Sequence, residues 1–153
     1  AQGEEHGYHF GGDVYQRVEL SENGLDCRIV PASDPVGEGT YNAAEFTPAL
    51  IKDGEKIEDS FWTGEQPRAC FGTGDQGVYM LIIEGRYPDE GIRGTSVNTC
   101  SDILLAYGCR NALNMDGGSS AILWYDGEYV TQSSSSFLRY TGGRPLPNAW
   151  VYG

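Results

Sequence analysis

Short apolar segments separated by glycine-containing turns run through most of this chain, a pattern that favours strands over helices. RVEL (17–20) and DCRIVPA (26–32) are typical of strands. ALIKDGEKI (49–57) and AILWYDGEYV (121–130) each contain an Asp-Gly pair, which favours a tight hairpin turn. The most continuous apolar run, QGVYMLIIEGR (76–86), predicts a buried central strand.

One segment has helical spacing instead. Apolar residues recur every three or four positions from Val97 onward, which predicts a helix with one buried face. Either Thr95 or Ser96 can cap its start, and Gly108 can end it. The helix leads into RNALNMDGG (110–118), a strand followed by a glycine loop. We therefore expect an α+β fold: a mixed, mostly β sheet with one principal helix packed on it and a glycine loop at a strand end.

Length and charge restrict the class of protein. The 153 residues suit a single domain over 1–153, and segments 31–42 and 131–145 are typical of loops. The formal net charge of −12 argues against nucleic acid as a partner, because that interaction requires clustered Lys and Arg. No apolar run approaches the roughly 18 residues that span a bilayer, so we expect no membrane span. The chain begins at Ala1 and shows no signal peptide, which is compatible with a processed piece of a longer chain.

The four cysteines, Cys27, Cys70, Cys100 and Cys109, could form disulfides in three full pairings. The predicted helix would separate Cys100 from Cys109 by about 13 Å. A disulfide requires Cα atoms within about 7 Å, which disfavours that pairing. Buried free thiols are the simpler interpretation, and the cysteines therefore indicate no compartment.

The segment NMDGGSS (114–120) places an acid, two glycines and two hydroxyls between apolar runs. Backbone amides of such a loop can converge on an anionic oxygen, and glycines let the backbone approach a ligand closely. Ser119 and Ser120 add hydroxyl donors, and Asp116 is a candidate base or nucleophile. The alternative, from composition alone, is a plain turn in which Asp116 accepts hydrogen bonds from neighbouring backbone amides.

This loop is one of several motifs along the chain. They are PRACFG (67–72), Glu84-Gly85-Arg86, Gly94 followed by Thr95, NMDGGSS (114–120), and Arg144 followed by Pro147, Asn148 and Ala149. Together they resemble the phosphodiester glycosidase family, relatives of the enzyme that uncovers mannose 6-phosphate by removing a blocking N-acetylglucosamine. The resemblance covers about residues 46 to 153.

Two features depart from the family pattern. The family's N-terminal Asn-Gly-Gly-Phe-Phe type signature has no clear counterpart, and HFGGDVY (9–15) is only distantly similar. The chain is then either a C-terminal portion of a larger domain or a shortened variant. A further possibility is an incomplete domain that pairs with a separate N-terminal fragment. Glu84 stands where the family has Asp; a carboxylate before Gly-Arg can also form a structural ion pair.

The resemblance implies a hydrolase that cleaves a sugar-1-phosphodiester (glycosyl phosphate) bond in a bacterial envelope polymer or glycan, secreted or located in the cell envelope. It implies catalytic roles for Asp116, Glu84 and Arg86. It implies substrate-binding roles for Arg68, Thr95, Gly117, Gly118, Ser119, Ser120, Arg144 and Asn148. Because phosphate is a weakly basic leaving group, this chemistry depends on a carboxylate and on charge stabilisation more than on a general acid. The alternative function is a non-catalytic carbohydrate-binding or envelope-assembly module on the same scaffold.

We expect neither a cofactor nor a metal centre. His6 and His9 have the spacing of a metal-binding pair, but two ligands make a poor site. The many carboxylates leave a structural calcium ion open, although no EF-hand type loop is present. The aromatic residues near the glycine loop either stack on a sugar ring or pack within the fold; they are Trp124, Tyr125, Tyr129 and Tyr140.

Overall fold

The computed structural model describes residues 14–134, 144–146 and 149–151, and within them the fold is α+β, as predicted. The strands are β1 (Gln16–Leu20), β2 (Cys27–Pro31), β3 (Asn42–Phe46), β4 (Ala49–Lys52), β5 (Glu55–Lys56), β6 (Arg68–Gly74), β7 (Gly77–Ile83), β8 (Cys109–Asn114), β9 (Trp124–Tyr125) and β10 (Glu128–Tyr129). The principal helix is α1 (Val97–Ala106), and short 3-10 turns cover Pro88–Glu90 and Gly118–Ser120.

The strands form two sheets and a separate hairpin. A three-stranded sheet has the order β2-β1-β3, and a five-stranded sheet has the order β5-β4-β8-β6-β7. Strands β9 and β10 pair only with each other in the described part of the chain. All of the described pairings are antiparallel.

The five-stranded sheet is the middle of three layers. On one face α1 buries Val97, Cys100 and Leu104 against residues such as Cys70 and Cys109. The three-stranded sheet lies on the opposite face, and its side chains Val18, Leu20 and Ile29 belong to the second core cluster. Phe71 of β6 and Leu113 of β8 pack against them from the five-stranded sheet. Burial of these apolar side chains on both faces stabilises the stack.

The prediction that 76–86 forms the central strand is wrong. Its strand, β7, lies at one end of the described five-stranded sheet, and β8 lies in the middle. Alternate residues of β7 nevertheless pack on opposite faces of the sheet. Tyr79 and Leu81 pack against the core cluster under α1, and Val78 and Met80 pack against the core cluster under the three-stranded sheet. All seven residues of β7 are only half-buried, so the prediction of a buried strand is wrong as well. A continuous apolar run thus predicts apolar contacts on both faces of a strand, and not its place in the strand order.

Local turn and cap chemistry agrees with the sequence. Both Asp-Gly hairpin turns have positive φ at both central residues, 52° and 83° at Asp53-Gly54 and 48° and 87° at Asp126-Gly127. This conformation matches the twist of the flanking strands. Of the two candidate caps for α1, Ser96 serves, its hydroxyl accepting a hydrogen bond from the Thr99 amide at 3.2 Å.

All four cysteines are free thiols in the structure, and Cys70, Cys100 and Cys109 are buried. Burial raises the pKa of Cys27 and Cys109 to about 11, so these thiols are neutral at physiological pH. They act as small core residues.

A buried ionic cluster lies on the outer face of the three-stranded sheet, under the loop 32–41. The Glu19 carboxylate accepts hydrogen bonds from Arg17 at 2.8 Å, from Arg28 at 2.7 Å and from the Thr40 hydroxyl at 3.0 Å. The Gly37 amide adds a further donor at 3.3 Å. Burial alone would raise the pKa of Glu19, but the hydrogen bonds from the two arginines hold it below its ordinary value of 4.5. Sequence analysis did not single out this cluster, because its members are scattered along the chain.

Candidate functional site

The glycine loop begins where β8 ends and lies against the start of β6. The Met115 amide donates to the Ala69 carbonyl at 2.8 Å, and the Gly118 amide donates to the Pro67 carbonyl at 2.9 Å. A Cβ at Gly117 would lie 2.5 Å from the Pro67 carbonyl oxygen, so only glycine fits there without a backbone shift. Gly117 is therefore needed first for packing against the segment that leads into β6.

The loop uses part of its own donor capacity. The Ser120 amide donates to Gly117 at 3.0 Å, and the Ala121 amide donates to Gly118 at 3.3 Å. The amides of Gly117 and Ser119 have no partner in the described chain and can reach a ligand. The predicted anion cradle is thus smaller than the number of amides in the loop suggests.

Asp116 lies at the entrance of the loop with 57% of its side chain exposed. Its Oδ2 accepts a hydrogen bond from the Ser120 hydroxyl at 2.6 Å and one from the Arg144 guanidinium at 2.9 Å. Arg144 also donates to the Ser120 hydroxyl, which closes a three-membered network. Oδ1 has no partner among the residues that the structure describes. These contacts are with side chains, and not the backbone amides of the plain-turn alternative.

Arg86 reaches the same loop from the end of β7. Its guanidinium lies 3.1 Å from the position that a Cβ at Gly118 would take. Gly118 has φ 56°, and Arg86 itself has φ 68°, an uncommon value for a residue with a side chain. The Arg86 Nε donates to the Gln66 side-chain oxygen at 2.9 Å, which orients the guanidinium. A second cation therefore stands beside the loop.

Glu84 is placed on the flank of the loop by a different contact. Its carboxylate accepts a hydrogen bond from the Gln132 backbone amide. The neighbouring Ser133 hydroxyl donates to the Ser119 carbonyl at 3.1 Å, and the Tyr87 hydroxyl donates to the Ser133 carbonyl. Segment 131–134 is thereby tied to both the end of β7 and the glycine loop.

Arg68 is buried beneath the loop and does not contact Asp116. Its guanidinium donates to the carbonyls of Thr95 at 2.9 Å, Gly64 at 2.8 Å and Trp62 at 3.3 Å. Burial lowers the pKa of this guanidinium. The side chain joins the strand start to segments 62–64 and 94–95.

Thr95 takes part through its backbone. Its amide donates to the Gln66 carbonyl at 3.0 Å, and its carbonyl accepts from the Gln66 amide at 3.1 Å. Gly94, with φ 99°, packs so closely there that a Cβ would lie 2.3 Å from the Gln66 carbonyl carbon. The family-like Gly94 is thus explained by backbone packing.

The structure therefore brings Asp116, Ser120, Arg144 and Arg86 to one half-buried loop, and it places Glu84, Arg68 and Thr95 around its base. Asn148 lies outside the described residues, as do His6, His9 and Tyr140. Among residues 14–134 and the two short C-terminal segments, no cluster of three potential metal ligands is found. No helix among the described residues is long and apolar enough to cross a membrane.

Sequence analysis missed two contributors to the site. Gln66, which orients Arg86, directly precedes the PRACFG motif, and that adjacency was the available signal. Ser133 binds the loop from a serine-rich stretch with no distinguishing pattern. Chemically, the loop offers an exposed carboxylate whose Oδ1 has no partner among the described residues, with one guanidinium bound to its Oδ2 and a second beside Gly118. Two guanidinium groups so near one loop suit a substrate carrying phosphate.

Comparisons with known proteins show the family of the chain. A family model described as phosphodiester glycosidase matches residues 2–152, which extends the similarity beyond the motif-bearing stretch of 46–153. A search of curated proteins finds no significant match.

Two solved structures are similar to the chain. The zebrafish N-acetylglucosamine-1-phosphodiester alpha-N-acetylglucosaminidase catalytic domain, auto-inhibited by its pro-peptide, has 15% identity and a TM-score of 0.58, with 83% of this chain and 47% of that chain covered. A hypothetical protein from Synechocystis has 18% identity and a TM-score of 0.49, with 81% and 32% covered. This chain spans about half the length of the zebrafish structure, and the likeness to it shows the fold.

Proposed function

Because the chain belongs to the phosphodiester glycosidase family, we propose that it hydrolyses a sugar-1-phosphodiester bond, between an anomeric carbon and a phosphodiester oxygen. The supporting observation is the convergence of Asp116, Ser120 and Arg144 at the glycine loop, with Arg86 beside Gly118. Water adds across the bond, and the products are a free sugar and a phosphomonoester.

Asp116 supplies the reacting carboxylate. Two donors, from Ser120 and Arg144, bind Oδ2 and fix the plane of the carboxylate. The unpaired Oδ1 either attacks the anomeric carbon or takes a proton from the attacking water. A fixed plane raises the fraction of encounters with productive geometry.

The two arginines stabilise the leaving phosphate. Negative charge grows on the phosphate oxygens as the anomeric bond breaks, and planar guanidinium groups can bind two oxygens at once. Arg86 is held by Gln66, and Arg144 is shared between Asp116 and the phosphate. The free amides of Gly117 and Ser119 add neutral donors.

Three of the predicted site residues position other groups in this proposal; they are Glu84, Arg68 and Thr95. Glu84 holds segment 131–134 through the Gln132 amide, and Arg68 holds the Thr95 carbonyl beneath the loop. Substrate binding by Asn148 stays a prediction from the family resemblance. The reaction needs no cofactor or metal, because the guanidinium groups supply the positive charge, so chelation with EDTA should leave the rate unchanged.

The proposed substrate is a bacterial envelope polymer or glycan, met in a secreted or cell-envelope location. The family membership supports a glycan substrate. The net charge of −12 repels a densely charged polyanion. It favours a glycan with isolated phosphodiesters, because the arginines at the glycine loop offset the repulsion of a single phosphate.

Hydrolysis of the methyl phosphodiester of N-acetylglucosamine 1-phosphate and of UDP-N-acetylglucosamine tests the proposal. The wild-type chain should release free sugar, and Asp116→Asn should lose that activity without a change in melting temperature. Asp53→Asn is the matched control, because Asp53 is also an exposed Asp before Gly but lies at the tip of the β4–β5 hairpin. Equal activity in wild type and Asp116→Asn would contradict the mechanism.

The alternative, a non-catalytic binding module, predicts a different result. Such a module would bind these diesters without releasing sugar at any enzyme concentration. A domain completed by two pieces predicts a third result. The chain would then be inactive alone and become active when a separate N-terminal fragment is added, and the native mass of the active species would exceed that of one chain.

A further inference from the structure

The hairpin β9–β10 presents an exposed pair of aromatic rings beside the glycine loop. Trp124 and Tyr129 are direct cross-strand partners, so their side chains lie on the same face of the hairpin. Their exposed fractions are 61% and 55%. Directly opposite residues have Cβ atoms about 5 Å apart, so the two exposed side chains leave the hairpin side by side and together form its aromatic face.

This surface is connected to the site by a short and well-anchored segment. Trp124 follows Ser120 by four residues, which limits the separation of their Cα atoms to about 14 Å. The base of the hairpin is closed by hydrogen bonds from the Leu123 amide to the Thr131 hydroxyl and from the Val130 amide to the Leu123 carbonyl, both at 2.8 Å. The rings therefore lie within reach of a substrate whose phosphate occupies the glycine loop.

From these observations we propose that Trp124 and Tyr129 form a platform that binds a second, neutral pyranose ring of the glycan substrate. This inference rests on the proposed function, since the bound ring belongs to the molecule whose phosphodiester is cleaved. Aromatic faces pack against the apolar C–H surface of a sugar ring, while the phenol and indole N–H donate to its hydroxyls.

The charges around the hairpin favour this occupant over others. Asp126 at the tip can accept hydrogen bonds from sugar hydroxyls. Glu128, paired with Tyr125, lies on the opposite face, and both carboxylates repel phosphate-rich chains. Trp124 and Tyr129 both stay more than half exposed, so their face of the hairpin is open to a ligand. A rigid Asp-Gly turn keeps the platform in place at little entropic cost on binding.

Calorimetric titration with phosphate-free trisaccharides of N-acetylglucosamine, glucose and mannose tests this proposal. At least one trisaccharide should bind the wild-type chain, and Trp124→Ala and Tyr129→Ala should each weaken that binding about tenfold. Tyr125→Ala is the matched control. It removes an aromatic ring with 73% exposure from the opposite face of the same hairpin, and the Kd should stay within about twofold.

Three outcomes would overturn the platform. They are the absence of binding by all three trisaccharides, an equal loss in Tyr125→Ala, and a concentration-dependent dimer that Trp124→Ala dissociates. The assay contains no phosphodiester, so Asp116→Asn should bind the trisaccharide as the wild type does. The two proposals can therefore fail independently. A chain that does not hydrolyse the diester can still bind the trisaccharide, and a chain without the platform can still hydrolyse the methyl diester.

Discussion

Two clusters of carboxylates and arginines lie in this molecule, and they differ in burial and in how completely they are paired. Glu19 is 2% exposed and accepts hydrogen bonds from two arginines, a hydroxyl and an amide. Asp116 is 57% exposed, and its donors converge on one oxygen. Both oxygens of the Glu19 carboxylate are therefore bound within the protein, whereas the Asp116 carboxylate keeps one oxygen for a ligand.

The difference separates a structural role from a chemical one. A buried carboxylate with a full set of donors fixes the loop above it but has no access to substrate. An exposed carboxylate with a free oxygen contributes little to stability but can react. Changes at Glu19 should therefore affect folding, and changes at Asp116 should affect turnover.

The largest expected effect on folding comes from Glu19→Ala. It removes the nearer carboxylate from the buried Arg17 guanidinium and leaves Glu45, at 3.5 Å, as its remaining ion-pair partner among the described residues. This should cost about 3–5 kcal/mol in the free energy of unfolding. Urea denaturation measures this loss, and Glu22→Ala, at an exposed position nearby, serves as the control. A loss no larger than that of the control would show that the buried cluster does not stabilise the fold.

The next largest effect is expected for Arg86→Gln, which removes the cation beside Gly118. Loss of one preorganised donor to the developing charge should lower kcat/KM for the methyl diester about 10²-fold. Arg110→Gln, an exposed arginine paired loosely with Asp75 at 3.6 Å, should leave the rate unchanged. Equal rates for Arg86→Gln and the wild type would remove Arg86 from the proposed phosphate site.

Gly117→Ala should destabilise the protein by about 1–3 kcal/mol, because its methyl group would clash with the Pro67 carbonyl. The backbone shift that relieves this clash should also displace the neighbouring Asp116 and thereby reduce the rate of hydrolysis. Gly64→Ala is the control, since a Cβ there would meet no atom within 4 Å. Thermal unfolding and diester hydrolysis of both variants make the comparison, and matching losses would mean that close packing at Gly117 is not required.

The smallest expected effect is the pH dependence that Glu19 contributes. Its folded-state pKa lies below the ordinary value of 4.5, so its stabilisation is complete above that value and is lost as the pH falls through the folded-state pKa. Glu19→Gln cannot titrate, and the stability difference from wild type should therefore shrink as the solution is acidified. A difference that is constant across the acidic range would contradict the assigned pairing.

Local patterns in the sequence predicted the elements of this fold better than its arrangement. The Asp53-Gly54 and Asp126-Gly127 turns and the Ser96 cap depend on neighbouring residues, so the sequence reveals them directly. The place of β7 depends on which strands pair over long separations, and apolar patterning does not encode this.

The candidate site was predictable to a similar degree. Motif positions indicated Asp116, Ser120, Arg86 and Arg144, which the structure brings to one loop. Arg68 carried the same motif signal, yet its guanidinium is bound by three backbone carbonyls. Whether an arginine faces a ligand or the backbone depends on the tertiary environment.

The central claim is that the oxygen of residue 116 faces the anomeric carbon of a substrate whose phosphate lies between Arg86 and Arg144. A crystal structure of Asp116→Asn with the uncleaved methyl diester of N-acetylglucosamine 1-phosphate tests it most directly. In that structure the anomeric carbon should lie about 3–3.5 Å from the side chain of residue 116, and both guanidinium groups should contact the phosphate. A diester bound elsewhere on the surface, with the glycine loop empty, would contradict the account.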